Sequence, residues 1–127
     1  MAKIDAKVNN KIVLITCTGY ALSIGGSYTT IASQSLGFDA SLYAFCKVSG
    51  SYGFHGGSGN TTTISLQQEV LSYNAPGPEH AATAQSWWSS RLLYNASTFF
   101  IQLIYTTGSN TGKGYVDSSS LTAVFYN

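Results

Sequence analysis

Charge is what this chain has least of. Lys, Arg, Asp and Glu make up 9% of its 127 residues, against roughly 25% in an ordinary soluble domain. Lys3, Lys7, Lys11, Lys47, Arg91 and Lys113 are scattered, so there is no concentrated basic face of the kind nucleic acid requires. The five carboxylates, Asp5, Asp39, Glu69, Glu79 and Asp117, never fall as a close pair in sequence. Acid–base catalysis wants two titratable groups pushed apart in pKa, and this inventory offers none. Long apolar runs are missing too. Ile12–Ile15, after the polar start MAKIDAKVNN, is far too short for a membrane span or a secretory segment. The expectation is a chain folded in a cytoplasm, with no membrane partner. Cysteine is limited to Cys17 and Cys46, each inside an apolar pattern, and a reducing compartment favours two buried free thiols.

What the chain has instead is neutral polarity: 18 Ser, 13 Thr, 13 Gly and seven Asn. Such a surface carries little repulsion to keep neighbours from docking, which suits a component of an assembly. The length fits one domain.

The hydrophobic period is two almost throughout. Lys11–Thr18, Ser27–Ala32 and Leu42–Val48 read as short strands between Gly and Ser clusters. From Thr61 to Tyr73, alternation puts Ile64, Leu66 and Val70 on one face and Thr63, Ser65, Gln67 and Glu69 on the other. Ala75-Pro-Gly-Pro78 should stop any ladder, because proline cannot donate to it. Ala84–Tyr94 carries Trp87 and Trp88 on opposite faces, so one enters the core. Ser97–Thr107 is the strongest strand, with Phe99, Ile101, Leu103 and Tyr105 opposing Phe100, Gln102 and Ile104. The closing strand sets Leu121, Ala123 and Phe125 against Thr122, Val124 and Tyr126. Only His80–Ser86 offers a turn or two of helix. Short strands at roughly ten-residue spacing, punctuated by Gly and Ser, predict an all-β protein, an antiparallel β-sandwich of jelly-roll type. Residues 1–10 form an N-terminal arm, and 11–127 a single domain.

Motifs for chemistry are few. His55 and His80 sit in loop-like stretches, and no Gly-x-Ser-x-Gly elbow exists. Gly108–Gly114 has three residues where a phosphate loop needs four between its glycines, and Gly114 stands where the Ser or Thr should be. It joins two strands, so a hairpin loop is the better reading. Cys17, Cys46, His55 and His80 lack zinc-type spacing; a metal bridged on a trimer axis by His55 or His80 is the one metal arrangement left open. Asn60 and Asn95 head sequons that a cytoplasmic route leaves unmodified. The expectation is no enzyme, no cofactor and no bound metal.

Ser90-Arg-Leu-Leu-Tyr-Asn-Ala-Ser-Thr-Phe-Phe-Ile-Gln-Leu-Ile-Tyr105, a Gly/Asn loop, then Tyr115-Val-Asp-Ser-Ser-Ser-Leu-Thr-Ala-Val-Phe-Tyr126 resembles the closing half of the tumour-necrosis-factor and complement-head jelly rolls. Similar domains occur in bacteriophage fibre tips and in trimers on phage capsids. The resemblance covers about a third of the chain. It implies a homotrimer with the final strand buried beside the first, its outward residues lining a subunit contact.

The functional expectation is a non-enzymatic virion structural protein, a trimeric decoration (cement) protein that binds a phage's major capsid protein and reinforces the lattice through many copies. Candidate interface residues are Trp88, Phe125, Tyr126 and, on the arm, Lys3 and Lys7. The alternative is a receptor- or carbohydrate-binding knob of a tail fibre, or a small lectin, holding a glycan with Trp88, Tyr52, His55 and Asn110. A knob is expected behind a long shaft, and the ten residues before Lys11 are none.

Overall fold

A computed structural model describes residues 9–56, 61–81, 88–105 and 112–127. They form nine strands: β1 (Lys11–Ile15), β2 (Gly19–Ile24), β3 (Thr29–Ser35), β4 (Phe45–Gly56), β5 (Thr62–Leu71), β6 (His80–Ala81), β7 (Trp88–Tyr94), β8 (Thr98–Tyr105) and β9 (Gly112–Tyr126). Among the described residues a 3-10 turn, Ala40–Leu42, interrupts the strands, capped by the Asp39 carboxylate, which accepts from the Ser41 amide and hydroxyl.

The strands make two antiparallel sheets that pack face to face, so the fold is an all-β sandwich. Sheet A runs β1-β9-β4-β5, with β2 pairing the first half of β9; sheet B runs β3-β8-β7-β6. The closing strand therefore lies in the middle of its sheet, between β1 and β4. Its alternation dictates that place. Leu121, Ala123 and Phe125 are wholly buried, and Phe125 sits edge-on to Phe38, Tyr43 and Tyr94, with ring centroids 5.0–6.2 Å away. A strand flanked on both sides has no unpaired backbone edge to fray. The outer connections depart from the double Greek key that marks a jelly roll: β4–β5 is a plain hairpin and β6–β7–β8 a meander.

In β8 the faces are as the period predicts: Phe99, Ile101 and Leu103 are buried, and Phe100, Gln102 and Ile104 face outward. In β5 the phase reverses half-way. Opposite Ser49, two residues, Gln67 and Gln68, occupy the space of one, with Gln68 at φ 60°. This bulge turns Glu69 inward and leaves Val70 exposed, the reverse of simple alternation. Gly50 beside it has φ +116°, and a Cβ there would lie 2.1 Å from the Ser120 carbonyl oxygen. Only glycine fits.

Both sides of the sandwich are closed by specific contacts. On one side Gly19 lets β2 approach β3, since a Cβ there would stand 1.7 Å from the Ile31 carbonyl oxygen. Nearby, the Gln34 amide bonds to the backbone of Leu14 and Thr16. On the other, the proline-flanked segment does more than end a ladder: the Asn74 and Gly77 amides donate to the Tyr94 and Leu92 carbonyls. His80 follows as strand, not helix, and reaches Glu69 across the gap between the sheets at 3.1 Å.

Candidate interaction surface

The outward faces of the two sheets differ in chemistry. On sheet A, registry sets Ile12 against Val124, Val124 against Lys47 and Lys47 against Val70. One row thus crosses β1, β9, β4 and β5, spanning about 14 Å at ordinary strand spacing. Leu14 lies in the next row beside Thr122, and Phe45 beside Tyr126 on the other side. Ile12 is 73% exposed, Leu14 60%, Val70 53% and Phe45 45%. Phe45 and Tyr126 stack at 5.2 Å, and the Lys47 ammonium reaches over the Tyr126 ring at 5.6 Å. β-branched and aromatic residues form strands readily, but that propensity does not require four large side chains to face water on one sheet. Exposed apolar side chains gathered on one sheet, with Lys47 among them, make this face a candidate interaction surface.

At the far end of the same face the chain builds a polar group. His55 Nδ1 donates to Asp117 Oδ2 at 2.6 Å, and the Thr61 hydroxyl donates to the same oxygen at 2.7 Å. The Tyr115 ring lies parallel to the imidazole at 4.5 Å. The carboxylate and the stacked ring fix the imidazole plane. Sequence distance hid this cluster: 62 residues separate His55 from Asp117.

The outward face of sheet B carries an ordered polar row beside half-buried Leu93, Phe100 and Ile104. The Arg91 guanidinium carbon lies 3.7 Å from the Tyr28 ring centroid, and Arg91 Nε donates to Gln102 Oε1 at 2.9 Å. Gln102 Nε2 then donates to the Thr30 hydroxyl at 2.8 Å. Burial, and the Glu79 carboxylate close by, push the Tyr28 phenol well above its ordinary pKa.

The residues expected at an interface or ligand site fall in several places. Trp88 faces inward, 1% exposed, and Phe125 is fully enclosed. Neither can meet a partner, because the monomer already surrounds both; they are core. Trp87 lies outside the described residues. Tyr126 is on the outward face of sheet A, half-buried. Tyr52 is also core: its hydroxyl is 2.6 Å from Ser90 Oγ across the two sheets, and burial lifts its pKa to about 12. His55 is on the surface, joined to Asp117, Thr61 and Tyr115. Lys3, Lys7 and Asn110 lie outside the described residues, as does the arm up to residue 8; Asn9 is tied down by its carbonyl, which accepts from the Tyr43 hydroxyl at 2.7 Å. Cys17 and Cys46 are free, buried thiols, and burial raises the pKa of both, that of Cys46 to about 12. Among the described residues no three His, Cys, Asp or Glu side chains gather as a metal site; His80, bonded to Glu69 between the sheets, lies apart from His55 on its outward face. Ile12, Leu14, Phe45 and Val70 were not foreseen as a group. Alternation could have shown the first two, since Ile12-Val-Leu-Ile15 is apolar on both faces.

No protein-family model, no curated protein and no solved structure matches the chain.

Proposed function

We propose that this protein is a non-enzymatic structural component that assembles as a homotrimer through the outward face of sheet A, and that the trimer decorates a phage capsid, binding the major capsid protein and reinforcing the lattice. The observation that carries the reading is the set of exposed side chains Ile12, Leu14, Phe45 and Val70 on this face, with half-buried Val124 among them. Full burial of one such side chain is worth about 1.5–3 kcal/mol, and a cyclic assembly buries it once in every copy. The central strand β9 presents Thr122, Val124 and Tyr126 to this face, so the contact is anchored on the strand the fold holds most firmly. The near absence of charge supports the same reading, since few ions must be desolvated when copies or capsid subunits meet.

Light scattering after size-exclusion chromatography tests the assembly. The expected mass is roughly 40 kDa for three 13.5 kDa chains. Leu14→Lys, on an exposed position where a folded monomer tolerates it, should return the chain to its single mass. A wild-type monomer at every concentration removes the assembly reading. Stoichiometric co-sedimentation with emptied phage capsids tests the second half, and a trimer that stays in the supernatant removes the capsid as partner.

A further inference from the structure

We infer that the outward face of sheet B is a binding site for a neutral sugar ring, built on Arg91, Gln102 and Thr30, with Glu79 and Phe100 at its sides. The inference does not depend on how sheet A assembles, because the two faces point in opposite directions.

Long polar side chains on an open sheet face ordinarily satisfy themselves with water and keep their rotamer freedom. Here they are held. Arg91, the chain's single arginine, is fixed by its stack on Tyr28 and by the bond from Nε to Gln102. Gln102 is fixed at both ends, accepting at Oε1 and donating from Nε2 to Thr30. The three lie in register across three neighbouring strands, Arg91 opposite Gln102 and Gln102 opposite Thr30.

The bonds made also define what is left. Arg91 spends Nε and, among the described residues, its terminal nitrogens donate to no protein acceptor. Thr30 accepts from Gln102, which leaves its own hydroxyl proton to give, and Thr30 is exposed. Gln102 retains one N–H and one lone pair. Glu79, exposed and next to the Tyr28 hydroxyl, supplies a carboxylate acceptor. Held donors therefore stand on the same face as an exposed carboxylate. Vicinal hydroxyls match that pattern, because each can accept from the guanidinium or Thr30 and donate to Glu79 or Gln102.

Charge selects among hydroxylated ligands. Arg91 lies over the Tyr28 ring and Glu79 near the same phenol, and their opposite charges leave the face little net attraction for a phosphate or a carboxylate. It fits a neutral ring. In the next row, Phe100 pairs with Leu93 and with Ser33, and both apolar residues are half-buried on the same outward side. They offer an apolar patch against which the C–H face of a sugar can pack. Pre-ordered side chains lose little entropy on binding, which is how a shallow face holds a small ligand.

The test is saturation-transfer NMR on the whole chain with the methyl glycosides of glucose, galactose, mannose and N-acetylglucosamine, followed by amide shift mapping with whichever gives a signal. Shifts should centre on Thr30, Arg91, Phe100 and Gln102. Arg91→Lys keeps the charge but loses the planar fork, and should weaken the sugar about tenfold. Thr30→Val, at an exposed position that leaves the fold intact, should weaken it by a smaller factor. Silence from all four glycosides overturns the inference, as do shifts that map elsewhere, or an affinity unchanged in both variants. A monomer that binds sugar here removes the assembly reading and leaves this one standing; a trimer that binds none does the reverse.

Discussion

The hydroxyls of Tyr52 and Ser90 meet at 2.6 Å in the middle of the sandwich, one from each sheet, with no route to water. Ser90 also faces the His80 carbonyl at 3.4 Å, so the pair sits under the strand that closes sheet B. Buried polar groups are tolerated when each supplies the other's partner.

That mutual dependence gives a double-mutant prediction. Ser90→Ala strands the Tyr52 hydroxyl and should cost about 1–3 kcal/mol; Tyr52→Phe leaves the serine its longer bond to the His80 carbonyl and should cost less. The double variant should lose clearly less than the sum, because removing both partners leaves no orphan. Urea denaturation of the four proteins measures it. Simple additivity would show that the two hydroxyls do not interact.

A second prediction concerns the edge of sheet A. Gln34 takes the place of a neighbouring strand: Nε2 donates to the Leu14 carbonyl and Oε1 accepts from the Thr16 amide, both at 2.7 Å. Gln34→Ala should cost about 1 kcal/mol, since water can replace the amide at this exposed site. Gln34→Glu should cost more, because a carboxylate would then face the Leu14 oxygen. Hydrogen exchange at the Thr16 amide should speed up in both, and an unchanged rate would contradict the clamp.

Glycine at position 19 is the third. Any Cβ would enter the Ile31 carbonyl, and backbone cannot move aside as a flexible side chain can. Gly19→Ala should destabilise by about 3 kcal/mol or more. Gly26→Ala, whose added methyl meets nothing within 4 Å, is the control and should fall within about 0.5 kcal/mol of wild type. Thermal melts decide between them.

Alkaline pH supplies the fourth. Burial raises the Cys46 thiol to about 12 from an ordinary 9.0, and the Tyr52 and Tyr94 phenols to about 12 from 10.0. The folded protein therefore keeps protons that the unfolded chain releases. The stabilisation is complete below about pH 9, where both states are protonated, and is lost as pH rises from there to about 12. The slope is at most about 1.4 kcal/mol per pH unit for each group concerned. Urea midpoints between pH 8 and pH 11 should fall steadily above pH 9, and a flat profile would contradict the burial of these groups.

The fold was legible where period and burial coincide. In β8 and β9 both neighbours are strands, one face is core, and alternation states which side is which. It misled in β5, because Gln67-Gln68 carries no Gly or Asn to announce the positive φ that shifts the phase. The surfaces were harder to read. Trp88, Tyr52 and Phe125 have the chemistry of contact residues, but their faces put them inside. Arg91 and Tyr28 lie 63 positions apart, as remote in sequence as His55 and Asp117. Side-chain partners brought together by sheet order leave no local signal. Gln34 is the extreme case, since nothing in Ala32-Ser-Gln-Ser35 distinguishes a glutamine that imitates backbone.

The central place of β9 has a consequence in time. Ile15 pairs with Leu121, more than a hundred residues later, and β4 pairs with β9 along nearly its whole length. Until β9 leaves the ribosome, sheet A exists only as a β4–β5 hairpin and the unpaired β1 and β2, with no strand between them. Those early strands must wait with their apolar faces uncovered, and loop-closure entropy opposes the pairing that covers them. Folding should therefore be slow and complete only after synthesis of β9, and the waiting intermediate, not the finished sandwich, is the species most exposed to aggregation.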